Sequence, residues 1–170
     1  MKLAAALTGV GGAPLAVHTE ARLDVPKRVL ALSAATALWK GQTLRLLGPA
    51  RLEFAEGMRV DRLRLGLGEA SLAVGGQFAP RLDATATLRG VEGSLARAFA
   101  PDLALEGRLE ADARLGGTLG EPTGTVRLAA EGVRIIEGPA AGLPPARLDA
   151  RAELAGRAAR LQAQLAAGTS

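Results

Sequence analysis

Residues 103–126 read L-A-L-E-G-R-L-E-A-D-A-R-L-G-G-T-L-G-E-P-T-G-T-V, and their first half decides the fold. From Leu105, one alternate set is Leu105, Gly107, Leu109, Ala111, Ala113 and Leu115, and none of them is charged. The other set is Glu106, Arg108, Glu110, Asp112 and Arg114, all of them charged. A period of two separates these sets only if the backbone is extended, with one dry face and one wet face. A helix would spread both sets around its circumference. Eleven residues at about 3.3 Å each make a strand of roughly 35 Å, against five or six residues in a usual strand.

Working outward, the same pattern recurs. Leu15 to Val25 alternates until Pro26 stops it, and Val29 to Trp39 is a second apolar segment. Arg51 to Phe54 and Met58 to Leu67 follow Gly48-Pro49, a turn signal. The phase slips by one between Val60 and Leu63, which predicts a β-bulge near Asp61-Arg62. Ser71 to Phe78 carries Gly75-Gly76 as a turn or kink. Leu82, Ala84, Ala86 and Leu88 form a dry row against Asp83, Thr85, Thr87 and Arg89. Val126, Leu128 and Ala130 alternate next, and Gly132 leads into Val133 to Ile136. The last two strands are Ala146 to Leu154, with Leu148, Ala150, Ala152 and Leu154 on the dry row, and Arg160 to Ala167, with Leu161 and Leu165. One segment breaks the rule: Val91, Leu95, Ala98 and Phe99 fall at helical spacing before Pro101, so one short helix is expected over 94–100, against the sheet edge or at one mouth of it.

Three segments share the phrase R-L-[DE]-A-x-A-x-L-x-G, starting at Arg81, Arg108 and Arg147. Arg22-Leu23-Asp24 and Arg51-Leu52-Glu53 are worn copies of its start. The copies are 27 and 39 residues apart, and a β-helix would hold its period. The reading is therefore an all-β chain, a long antiparallel array of β-hairpins with variable loops, forming a single segment over 1–170 with a sub-boundary near 90–102. Leu-x-Ala-x-Ala-x-Leu puts bulk at the strand ends and small side chains in the middle. Stacked in phase, it would give a trough floored by Ala and walled by Leu.

Composition narrows the function classes. Hydrophobic residues are 48% of the 170 and aromatics only 2%, so Ala, Leu, Val and Gly must supply the apolar surface. The net charge of +4 comes from 21 cations interspersed among 17 anions. That mixture suits a solvated face with cross-strand pairing, and with so few rings it makes no nucleic-acid surface. Without Cys, there is no disulfide framework and no thiolate metal site. No stretch approaches the ~20 apolar residues of a spanning helix. The opening M-K-L-A-A-A-L-T-G-V-G-G-A-P imitates a signal peptide, but Gly and Pro interrupt its apolar run and no A-x-A site follows, so a first strand is expected. His18, the only His, lies on the charged phase of its strand and is expected to be solvated. Glu110 and Asp112 share a face with Arg108 and Arg114, as an ion-paired surface does. Gly9-x-Gly11-Gly12 lacks the Lys-Ser/Thr of a phosphate loop and reads as a turn. Trp39 suits a strand-end anchor, or a groove mouth. No converging polar constellation suggests an enzyme, and no cofactor is expected.

The dry faces lack amphipathic helices to cover them. The sheet must close on itself as a filled sandwich or barrel, or curl and leave an apolar groove. Period two alone does not separate these outcomes.

The run Leu105 to Leu128 resembles the repeat of the TamB (AsmA-like) family, the inner-membrane subunit of the translocation and assembly module, in its phrase L-x-G-x-L-x-A-x-x-x-L-x-G-T-L-x-x-P-x-G-x-V. The spacer ending Phe99-Ala-Pro101 and the run Gly142 to Ala150 also fit, and the likeness is best from about Leu82 to Ser170. The resemblance implies a curled, open "β-taco" groove in the periplasm, within a longer protein anchored in the inner membrane by a helix outside this stretch. It implies shielding of phospholipid acyl chains between inner and outer membrane. It further implies support of outer-membrane protein assembly with a BamA-like barrel partner, bound through a C-terminal region that this stretch does not resemble. The expected groove lining is Leu82, Ala84, Ala86, Leu88, Leu105, Leu109, Ala111, Ala113, Leu115, Val126, Leu128, Leu148, Ala150, Ala152, Leu154, Leu161 and Leu165. The alternative is a structural β-solenoid or autotransporter-like passenger, although such faces are usually polar and this chain has no Asn.

Overall fold

In a computed structural model, residues 2–8, 14–39, 41–95, 104–137 and 141–168 are described. The strands are β1 (Lys2–Thr8), β2 (Pro14–Asp24), β3 (Val29–Trp39), β4 (Gln42–Leu46), β5 (Ala50–Glu53), β6 (Met58–Leu67), β7 (Ala70–Ala79), β8 (Leu82–Glu92), β9 (Leu105–Gly117), β10 (Pro122–Ile135), β11 (Ala146–Ala155) and β12 (Ala158–Ala167). They form one sheet in which every pairing is antiparallel and neighbours in space are neighbours in sequence, apart from one shared lane. In that lane β4 and β5 lie end to end, both between β3 and β6. The break between them falls at Gly48-Pro49, and Leu47 N–H donates to the Arg64 carbonyl at 2.8 Å, which keeps the lane against β6.

The alternation seen in the sequence becomes burial. β9 and β11 are half-buried and exposed at strictly alternate positions, apart from the end of β9. β9 is 13 residues and β10 is 14, each roughly 45 Å long. The phase slip in β6 is a bulge between Val60 and Leu63, with Arg62 at φ 48°. Gly132 does not end a strand; it sits in a bulge within β10, where the register shifts between Glu131 and Arg134. Of the two readings of Gly75-Gly76, turn or kink, the kink holds: β7 runs through the pair, with Gly76 at φ 120°. Chain direction reverses instead at Gly68-Glu69, between β6 and β7, and at Pro80-Arg81, between β7 and β8.

Each copy of the repeated phrase ends on a glycine at positive φ: Gly90 at 64°, Gly117 at 87° and Gly156 at 65°. Gly90 forms a bulge against β9, Gly117 opens the 118–121 turn, and Gly156 opens the two-residue turn into β12. The phrase is thus one run of alternation plus the residue that lets the backbone leave it. The expected helix over 94–100 is represented by a single 3-10 turn, Gly93–Leu95, while residues 96–100 lie outside the described residues. Glu92 pairs with Arg108, so β8 and β9 are neighbours in one sheet, while 96–103, within the expected sub-boundary, lie outside the described residues.

The sheet does not close among the described residues: β1 pairs only with β2, and β12 only with β11. Nor is it filled. The accessible surface is 11629 Å² for 17.3 kDa, whereas a compact monomer of this mass exposes about 7,800 Å². Buried apolar residues among those described are few and mostly small, Ala50, Ala70, Ala84, Ala104 and Ala130 with Val60 and Leu82. The alternative of a filled sandwich or closed barrel does not fit this geometry.

Candidate functional site

Cross-strand partners share a face, so the register assembles the dry face row by row. One row runs Leu46, Leu65, Leu72, Leu88, Ala111, Leu128, Ala150 and Ala163 from β4 to β12. The next holds Leu63, Val74, Ala86, Ala113, Val126, Ala152 and Leu161. A third holds Val91, Leu109, Ala130, Leu148 and Leu165. No row contains a charge.

Repeat copies do not stack in phase. Leu88 of β8 lies opposite Ala111 of β9, Ala86 opposite Ala113, and Ala84 opposite Leu115. Antiparallel pairing reverses each copy, and an offset of one pair sets bulk against small. The expected floor of Ala walled by Leu is therefore corrected. Two of these three pairs set a large side chain against a small one, so the Ala positions of neighbouring copies do not line up as one continuous floor.

The open space lies toward the leucine-rich end. A trough of about 710 Å³ is lined by Leu44, Leu65, Leu67, Ala70 and Leu72 on one side. Leu88, Val91, Leu105 and Leu109 line its base, and Ala130, Val133, Ala146, Leu148 and Leu165 the other side. On a flat sheet the β4 and β12 lanes would stand roughly 34 Å apart, seven spacings of about 4.8 Å. A single trough touches both because the sheet curls. Its wall is almost wholly apolar, although Glu92, Glu106 and Arg108 border it. Its volume falls within the range of small-molecule sites, roughly 300–1,000 Å³.

Of the expected lining, Leu88, Leu105, Leu109, Leu148 and Leu165 face this trough. Leu82 and Ala84 are buried against neighbouring strands. Ala86, Ala111, Ala113, Leu115, Val126, Leu128, Ala150, Ala152 and Leu154 continue the same face, half-buried, beyond the trough. Leu161 and Leu165 stand at the open edge, 70% and 72% exposed. Sequence reasoning missed Leu44, Leu65, Leu67 and Leu72. The alternation of Leu63, Leu65 and Leu67 was visible, but nothing in the sequence says that β6 curls over to face β11.

The curl has local causes. Gly124 has φ 130°, and a Cβ there would stand 2.0 Å from the Arg114 carbonyl oxygen. Gly76 has φ 120°, and its Cβ would stand 2.2 Å from the Asp83 carbonyl oxygen. Both lie on one row, Gly76 opposite Ala84, Ala84 opposite Leu115, and Leu115 opposite Gly124. Missing side chains let adjacent backbones approach and bend the sheet along that row.

The wet face pairs its charges across and along strands. Arg89 holds both Asp112 oxygens at 2.8 Å, reaches Glu110 at 3.6 Å, and donates to the Ala111 carbonyl at 3.1 Å. Thr87 adds a hydroxyl to Asp112 at 3.2 Å. The Arg89 hydrogen bonds hold the Asp112 carboxyl below the usual carboxylate range, and Asp112 in turn raises Arg89. Arg134 meets Glu106 at 2.6 Å, and Arg147 meets Asp149 at 2.8 Å and Glu131 at 3.1 Å. The Asp149 hydrogen bond raises Arg147. These groups are half-exposed, which is a solvated ion network rather than a converging site. His18 is exposed, on the face opposite Val17. Among the described residues no group of three or more His, Cys, Asp or Glu side chains could hold a metal ion. Among the described residues no helix is long and apolar enough to cross a membrane. Gly9-x-Gly11-Gly12 and the Trp39 side chain lie outside the described residues.

No protein-family model, no curated protein and no solved structure matches this chain.

Proposed function

We infer that this chain is a non-enzymatic conduit segment whose trough shields acyl chains from water. The observation behind this reading is the trough's almost wholly apolar wall, open along a curled sheet, with no element of the chain lying over it among the described residues. An acyl chain gains about 0.8 kcal/mol for each methylene removed from water, and it needs a long uncharged slot with no polar partner. Protein sites for small polar ligands place a few convergent polar groups instead. In the setting that the TamB-like phrase suggests, the lipid is phospholipid moving through the periplasm between inner and outer membrane. Support of outer-membrane protein assembly with a BamA-like barrel partner would then be a property of the longer protein. The antiparallel meander with unequal loops supports this reading over a β-solenoid, whose stacked rungs pair in parallel at a nearly fixed period.

The test is photo-crosslinking in cells, with the crosslinker placed at Leu109 or Leu148, which line the trough, and at Arg114 or Arg147 on the wet face, which do not. Phospholipid adducts from Leu109 and Leu148 only are expected. Adducts from the Arg positions alone, or equally from both faces, would overturn the reading.

A further inference from the structure

We propose that a hollow on the wet face of β2 to β6, away from the trough, binds a phosphate group between Arg22 and Arg51. The hollow has a structural origin. Ser33 has no register partner where the β2–β3 pairing shifts between Glu20 and Ala21. The next lane breaks between β4 and β5 at Gly48-Pro49, and β6 bulges at Asp61-Arg62. The paired row Ala21, Leu32 and Ala50 runs beside all three irregularities. Three adjacent lanes are thus interrupted at one level, and a space of about 750 Å³ opens there.

Its cations are less compensated than those elsewhere on this face. Arg22, Ala31, Arg51 and Asp61 form one cross-strand row, so the two arginines stand two lanes apart, roughly 10 Å, with only the Ala31 methyl group between them. Asp61 stands opposite Arg51 but meets Arg62 at 3.5 Å instead. Among the described residues neither Arg22 nor Arg51 forms an ion pair, whereas Arg89, Arg134, Arg147 and Arg151 each hold a carboxylate. Arg62 also borders the hollow, at φ 48°. Gly or Asn would make that bulge with less strain, and the arginine brings a third cation to the hollow. Guanidinium forks hold the oxygens of a tetrahedral phosphate in pairs, and two of them flank a floor that a methyl group leaves open. Glu20, half-buried in the same wall, disfavours a polyanion, and the wall has no aromatic ring to stack a base. A single phosphate group fits this balance.

The test is an NMR titration of the full chain that reads the arginine Nε–Hε signals. One series uses inorganic phosphate, the other glycerophosphoglycerol, a lipid headgroup without acyl chains. The Arg22, Arg51 and Arg62 signals should shift saturably, with a Kd on the order of 1 mM. Those of Arg45 and Arg160, on the same face outside the hollow, should not. Tighter binding of glycerophosphoglycerol assigns the site to a lipid headgroup, and tighter binding of inorganic phosphate to the free ion. Arg22→Gln/Arg51→Gln should weaken binding about tenfold or more, and Glu20→Gln should tighten it about threefold. Arg45→Gln/Arg160→Gln removes as much charge elsewhere and should change binding less than about twofold. No saturation by about 20 mM of either compound, equal shifts at all five arginines, or equal loss in the two double variants would overturn the site. The signals of the unaltered chain decide the matter by themselves if a variant fails to fold.

Discussion

Gly124→Ala should cost far more than the addition of one methyl group to a strand normally does. At φ 130° any side chain is strained, and the new Cβ would be 2.0 Å from the Arg114 carbonyl oxygen. Real Cβ contacts do not fall below about 3 Å, so β9 and β10 must separate locally by about an ångström. Backbone strain of about 1–3 kcal/mol adds to a similar cost for overpacking, roughly 2–6 kcal/mol in all. Gly132→Ala is the matched control: its φ is 62°, but nothing lies within 4 Å of the new Cβ, so only the left-handed penalty of about 1–2 kcal/mol applies. Urea unfolding followed by circular dichroism reads the difference as a drop in midpoint. If Gly124 is also part of the bend, its variant should lose binding of an apolar fluorophore under conditions where the Gly132 variant keeps it. Equal midpoints for the two variants would refute the close approach of β9 and β10, and with it this account of the curl.

Leu109→Asp and Thr85→Asp add the same charge to opposite faces of the sheet, and only Leu109 lines the trough; the first should abolish acyl-chain binding in a fluorescent fatty-acid titration, and the second should change it less than twofold. Asp112→Asn should lower stability by at most about 0.5–1 kcal/mol at neutral pH, because the pair with Arg89 is half-exposed. The folded carboxyl titrates below its unfolded value, so its contribution is complete above about pH 4 and is lost as pH falls through the folded value. Unfolding curves from pH 7 to pH 2 should therefore show a shallower acid decline in the Asn variant; parallel curves would remove Asp112 from the acid response.

The strands were legible because one physical quantity, period-two alternation, decides both extended structure and face. β9 and β11 read almost residue by residue, and the β6 bulge showed as a one-residue slip of phase. Glycine was harder to read. Gly75-Gly76 read equally as a turn or a kink, and Gly132 carried no sign of a bulge, because a residue at positive φ can bulge or kink a strand without ending it. β4 went unseen, because a strand of five residues, Gln42–Leu46, carries too little pattern. The site was only half legible. Sequence says which side chains are dry, but the offset of neighbouring repeats and the curl are properties of pairing between strands. The trough therefore lies among leucines of β4, β6 and β7 as much as over the repeated Leu-Ala phrases.

The most direct test is native mass spectrometry of the purified chain titrated with phospholipid, comparing Leu148→Asp with Arg147→Asp. These neighbours lie on opposite faces of β11, and only Leu148 lines the trough. Saturable phospholipid adducts that survive Arg147→Asp and vanish with Leu148→Asp are the predicted result. No adducts on the unaltered chain, or equal loss in both variants, would contradict an acyl-chain trough.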